Sequence, residues 1–140
     1  MEKYRFLKDE STADISFIAY GKDMNELFKN SAHALLKVMI SKDKIKAKKT
    51  VKFKIKSNKI DDLLVKFLDK IIFLKDYEHI VLIETKVNIT DKYELNCTGK
   101  AESLENLKKY FLADVKATTM HNLMIKKEKG LIKCKVVLDI

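Results

Sequence analysis

The chain lacks proline and tryptophan altogether, and has only three glycines and two cysteines in 140 residues. Nothing in that composition is collagen-like, low-complexity or disordered. An apolar share of 46% suits a packed core, and the length suits a single domain. No apolar run approaches the ~20 residues of a membrane-spanning helix, so no membrane partner is expected. The opening MEKYRFLKDE carries no basic start followed by a smooth apolar block. A cytoplasmic protein is expected. Cys97 and Cys134 lie far apart among strand-forming residues, and in a reducing compartment they are expected as buried free thiols. No pair among Cys97, Cys134, His33, His79 and His121 has zinc-finger spacing.

Arginine is also nearly missing. Of 29 basic residues Arg5 alone is arginine, yet the formal net charge is +9. Such charge invites a nucleic-acid partner. Arginine, however, is the side chain of bidentate phosphate and guanine recognition, whereas lysine is a point charge on a flexible stem. Lysine spread over every segment therefore reads first as composition rather than as a dedicated binding face. Weak association with an acidic partner follows from it. The chain also lacks GxGxxG, GxxxxGK[ST], HExxH, GxSxG, CxxC and the aromatic signature of RRM domains, which removes the common nucleotide-binding, hydrolase and redox classes.

What is present is hydrophobic periodicity. Lys3–Leu7 reads as a short strand, and Thr12–Tyr20 alternates with Ala13, Ile15, Phe17 and Ala19 on one face. Asp23–Ile40 is an amphipathic helix with Asp23 as cap, Glu26 in the capping-box position, and a stripe of Met24, Leu27, Phe28, Ser31, Leu35 and Met39. His33 falls off that stripe and is expected on the surface. Val51, Phe53 and Ile55 alternate with Lys52, Lys54 and Lys56, a strand whose lysine row is read as guarding a sheet edge. Asp61–Leu74 forms a second helix, with Asn58 as its expected cap. Burial of Leu63, Leu64, Phe67, Leu68, Ile71 and Ile72 contributes on the order of 10 kcal/mol before entropy is subtracted. No chemistry is expected from it. His79–Thr90 and Tyr93–Glu102 form a hairpin turned at Asp91-Lys92, and Gly99 marks a bulge or a close backbone approach. Ser103–Phe111 is a short helix capped by Ser103. A final strand, Leu131–Ile140, turns inward Ile132, Cys134, Val136 and Leu138 and outward Lys133, Lys135, Val137 and Asp139. The fold class expected is α+β: a single two-layer domain, mixed or antiparallel in its β-sheet, with two main helices plus one short helix.

One stretch departs from this lysine-faced scaffold. Asp114–His121 (DVKATTMH) is too polar for a core strand and lacks the Gly, Pro or Asn of an ordinary turn. Thr12-Ala13-Asp14 and the final Asp139-Ile140 share its character, and the three are expected to form one end of the molecule. The Ile140 carboxylate would stand one residue from Asp139, and like charges that close repel unless a cation or a lysine neutralises them.

Thr12-Ala13-Asp14-Ile15, the helix from Asp23, Val115-Lys116-Ala117-Thr118, His121 and the terminal Leu138-Asp139-Ile140 together resemble the archease family. The match runs in order over essentially the whole chain, 1–140, as a single archease-like domain. The resemblance implies a non-catalytic activator of the RtcB-type tRNA-splicing RNA ligase. It would promote ligase guanylylation, multiple turnover and broader NTP use in tRNA splicing. It also implies a divalent cation, typically taken to be calcium in the family, held by Asp14, Asp139 and the Ile140 carboxylate, a donor set suited to a hard cation. Lys116, His121 and Thr119 match family positions at the same end. Ser11 replaces a histidine usual in the family, Lys100 follows Gly99 where glutamate is common, and Met120 stands where an aromatic is expected. A straight strand would point Lys116 and His121 to opposite faces, so both serve one site only across a bulge. The alternative reading is an RNA-binding or chaperone-like accessory protein that meets tRNA or a tRNA-modifying enzyme. An enzyme in its own right is not expected, because beyond His121 the chain names no clear general base.

Overall fold

A computed structural model describes residues 2–7 and 14–140, except for the side chains of residues 120–123. Thr12 and Ala13, together with Asp9, Glu10 and Ser11, lie outside the described residues. Among the described residues seven strands occur in the order β1 (Tyr4–Leu7), β2 (Asp14–Gly21), β3 (Lys49–Lys56), β4 (Ile80–Ile89), β5 (Glu94–Ser103), β6 (Ala117–Glu128) and β7 (Leu131–Asp139). Helix α1 (Met24–Met39) follows β2, α2 (Ile60–Tyr77) follows β3, and a short 3-10 helix, Leu104–Tyr110, follows β5. The strands form two sheets rather than one, in the orders β1-β2-β7-β6 and β3-β5-β4, and every pairing is antiparallel.

Both helices reach both sheets. Helix α1 packs on β1, β2 and β7 of the first sheet and β4 of the second, while α2 packs on β6 and on β3 and β4. Phe17, Phe28, Phe67, Leu35, Leu68, Leu95 and Leu138 fill the space they share, each fully buried. The stripe Leu27, Phe28, Ser31, Leu35, Met39 faces this core, and Ser31 Oγ lies 3.4 Å from Cys134 Sγ on β7. Both cysteines are buried free thiols, and burial pushes the Cys97 thiol up to about 11. No helix among the described residues is long and apolar enough to cross a membrane.

The ends of α1 form as their residues dictate. Glu26 N donates to Asp23 Oδ1 at 2.8 Å, and Glu26 Oε1 accepts from Lys22 N at 3.0 Å. Helix α2 departs from expectation. It runs three residues past Leu74, and Asn58 does not cap it; the residue at the cap position is Lys59, which makes no side-chain bond. Ser57 instead donates its hydroxyl to Asp62, which steadies the first turn from outside. Ser103 likewise caps nothing; its amide donates to Glu102 Oε1 at 2.7 Å, the same oxygen that Asn106 Nδ2 reaches at 3.2 Å.

The second sheet explains Gly99. In β4 the pairing shifts between Leu82 and Glu84, leaving Ile83 as an extra residue. Gly99 on β5 lies under that bulge, where a Cβ would stand 2.5 Å from the Glu84 carbonyl oxygen and 2.7 Å from Leu82 Cδ1. β3 is an edge strand, as its lysine row suggested. The β6–β7 hairpin turns at Lys129 and Gly130, with φ of 52° and 79°, the left-handed pair of a two-residue turn.

Candidate functional site

The polar residues of the first sheet gather where three strands end together. Asp14, the first residue of β2, is the direct cross-strand partner of Asp139, the last residue of β7. Asp139 is also opposite Ala117, the first residue of β6, and accepts the Lys116 amide at 2.8 Å on its main-chain oxygen. Directly opposed side chains of an antiparallel pair have Cβ atoms about 5 Å apart and share a face. Phe17, Val136 and Leu138 point to the helices, so Asp14 and Asp139, at alternate positions, lie on the other face. Both are half-buried, as is Ile140, which follows directly, and Lys116 is exposed.

Thr119 pairs with Val137, two residues in from that end, and is half-buried. The face there is partly closed: Val137, expected to point outward, is 6% exposed, and Ser16 on the same face is 5% exposed. The pairing of β6 with β7 shifts between Thr119 and Met124, a stretch that contains His121. The His121 and Met120 side chains lie outside the described residues. Lys100 belongs to the second sheet, where Nζ donates to Thr50 Oγ1 at 3.0 Å.

The polar stretch is fastened by the helix from which no chemistry was expected. Lys75 on α2 is 2% exposed, and its Nζ donates to Asp114 Oδ1 at 2.6 Å and to the Val115 carbonyl at 3.1 Å. Asp76 Oδ1 stands 2.7 Å from the same nitrogen. Burial works against the Lys75 charge, but bonds to Asp114 and Asp76 outweigh it and hold the amine above its ordinary range. Two turns earlier on α2, Asp69 Oδ1 accepts the Thr118 amide at 2.9 Å. Helix α2 thus grips the chain on both sides of Lys116. The signal was in the sequence: Lys75 continues the stripe Leu64, Leu68, Ile71 at the next helical step, where an apolar residue belongs. Thr118 adds a cost, since its Oγ1 is buried with no hydrogen-bond partner among the described residues.

Among the described residues no three His, Cys, Asp or Glu side chains lie close enough to hold a metal ion. The acidic side chains at this end are those of Asp14 and Asp139, and Ile140 follows Asp139 in sequence. Both carboxylates are hard oxygen donors, the class of group that a hard cation takes.

Comparison with known proteins follows the same outline. A 38% identical relative, the archease of Methanothermobacter thermautotrophicus, aligns over 92% of this chain and 94% of its own length. The archease of Sulfurisphaera tokodaii is 32% identical over the full length of both. The solution structure of a Methanobacterium thermoautotrophicum protein superposes with a TM-score of 0.77, at 33% identity and complete coverage of both chains. A Thermotoga maritima crystal structure, of an archease described as a possible chaperone, shares the fold at a TM-score of 0.68 and 21% identity over 96% of each chain. The model of the archease protein family matches residues 4–140, and the chain belongs to that family.

Proposed function

We propose that the protein is a non-catalytic activator of an RtcB-type tRNA-splicing RNA ligase, acting through the end of the sheet that carries Asp14, Asp139 and Lys116. The observation that supports this most is the register: two acidic residues far apart in sequence are cross-strand partners, with the Lys116 main chain bonded to one of them. The proposed role is to present these groups to the ligase while its guanylyl group is transferred. Lys116, exposed beside the acidic pair, would meet phosphate charge as it develops. Asp14, Asp139 and the Ile140 main-chain oxygen would hold a divalent cation, and a bound ion would supply positive charge that ties the ends of β2 and β7 together. The Lys75 and Asp69 bonds keep the Lys116 segment in place from behind. The protein would turn over no substrate of its own.

The test is ligase guanylylation with and without this protein, as wild type, Asp139→Ala and Lys116→Ala. Stimulation by the wild type, reduced about tenfold or more in Asp139→Ala, is expected, the range seen when metal-site contacts are lost. Equal stimulation by wild type and Asp139→Ala removes the site. No stimulation by any of them removes the function.

A further inference from the structure

A long concave surface lies away from the acidic pair. Three cavities of about 460, 750 and 570 Å³ lie along α1, the first sharing His33, Ile83 and Glu84 with the second and Lys29 and Lys86 with the third. The bulged Ile83 and the buried Gly99 form part of one wall. A helix of 16 residues gives this trough a length of roughly 24 Å. Lys3, Lys29, Lys86 and Lys100 line one part, and the alternate lysines from Lys42 to Lys48 line the other.

The acids of the trough are largely occupied. Asp23 and Glu26 cap α1, Asp43 pairs with Lys37, and Glu102 accepts from Ser103 and Asn106. Glu84 and Glu102 stand against the lysines, with the Lys48 charge helping to lower the Glu102 pKa, and among the described residues none of the lysines lining the trough is in an ion pair. Rings lie between the charges. His33, expected on the surface, is half-buried where two cavities meet, with its ring 5.2 Å from Tyr4. Tyr110 lines the far part, with Lys42 Nζ 4.9 Å from its ring centre. A row of cations outside ion pairs along a groove fits a strand of phosphates, and a base stacking on Tyr110 would take the place of the Lys42 and Lys109 amines now over its ring. A flat membrane surface would not enter a groove, and an acidic peptide would leave the rings unused.

We propose that this trough binds the phosphodiester backbone of a single-stranded polynucleotide. Under the ligase reading that strand would be RNA. The trough's affinity does not rest on that reading, because it is measured without ligase.

The test uses a fluorescent single-stranded RNA of about 12 nucleotides and fluorescence anisotropy, with salt raised from about 50 to about 200 mM. If about four phosphates are neutralised, affinity falls about fiftyfold over that fourfold rise. The triple variant Lys29→Gln, Lys86→Gln, Lys100→Gln is expected to weaken binding about tenfold or more and to flatten the salt dependence. Lys52→Gln, Lys54→Gln, Lys56→Gln, on the β3 edge, removes the same charge and is expected to change affinity less than about threefold. Circular dichroism and thermal melting confirm that each variant is folded. NMR titration of His33 gives a local readout. Burial and then the charges of Lys3, Lys37 and Lys29 hold its pKa below 6.5, with Tyr4, Glu84, Lys42, Lys44 and Lys100 also lining its surroundings. Bound phosphate offsets those cations, so the pKa is expected to rise when RNA is added. Equal losses in the two triple variants, an unmoved His33, equal binding of duplex RNA, polyglutamate or anionic vesicles, or no RNA binding at low salt would each overturn the proposal.

Discussion

Lys75 and Asp114 are 39 residues apart and bonded at 2.6 Å, the lysine almost wholly buried and the aspartate largely exposed. The pair joins the last turn of α2 to the segment that carries Lys116. Its cost is the desolvation of an ammonium group, and its return is three oxygen partners at once: Asp114, Asp76 and the Val115 carbonyl.

That balance predicts an asymmetry between the partners. Lys75→Met keeps the apolar packing of the stem but leaves three acceptors with water as their only recourse. It is expected to destabilise by about 1–2 kcal/mol, discounted because both carboxylates are partly exposed. Asp114→Ala leaves Asp76 and Val115 in place and is expected to cost less, about 0.5–1 kcal/mol. Urea denaturation measures both, and an unchanged midpoint for Lys75→Met would show that the grip contributes nothing.

The same amine gives an alkaline signature. Its pKa in the fold is raised above the ordinary 10.5. A raised basic pKa contributes stability that is fully present below the unfolded value and is lost as pH rises through the folded one. Stability should therefore hold to about pH 10 and decline beyond it, and Lys75→Met should remove that part of the decline. His33 acts at the other side. Its lowered pKa gives stability present above 6.5 and lost as pH falls, so a shallow decline below that pH should vanish in His33→Gln. Thermal melts across pH for the three proteins separate the two contributions.

Gly99 and Gly130 make a second contrast. Gly99→Ala forces a methyl group against the Glu84 main chain at 2.5 Å, inside the second sheet, and is expected to cost about 1–3 kcal/mol. Gly130→Ala meets nothing within 4 Å and carries only the strain of φ +79°, about 1 kcal/mol. Equal losses in denaturant titrations would mean that the bulged strand yields to the methyl. Thr118→Val, by contrast, removes the unpartnered buried hydroxyl and is expected to gain up to about 1 kcal/mol.

Element by element, the periodicity of the sequence was a good guide, because burial decides it locally. The stripe of α1, the face of α2 and the lysine-guarded edge of β3 all follow from side-chain spacing. The division into two sheets did not, since it depends on which strands pair across long connections, and spacing is silent on that. The caps misjudged were Asn58, where α2 starts one residue later with Lys59 at the cap position, and Ser103, whose side chain makes no cap bond. At the site, the family pattern named Asp14, Asp139 and Lys116, but only strand register says that the two acids face each other. Lys75 was overlooked because a lysine was read as surface by type, although its position on the helix placed it in the core. Val137 was misassigned by alternation alone, which cannot show that the outer face is covered at that end.

The opposed acids make a prediction about stability that needs no partner protein. Without a cation, Asp14 and Asp139 place like charges on facing positions, which costs roughly 0.2–1 kcal/mol. Asp139→Asn relieves that repulsion, so in the presence of a chelator the variant is expected to melt slightly above the wild type. Calcium should invert the order. An ion that binds only the folded chain stabilises it by about 2.7 kcal/mol at a hundredfold excess over its dissociation constant. That gain requires both carboxylates, so the wild type should rise by several degrees with added calcium while Asp139→Asn and Asp14→Asn stay where they were. Magnesium, which prefers to keep its own waters, should raise the wild type less. Differential scanning calorimetry with chelator, calcium and magnesium distinguishes the cases. If calcium moves all three proteins equally, the ion binds elsewhere. If it moves none of them, the two carboxylates act on a partner as bare charges, and the register of β2 with β7 serves the sheet alone.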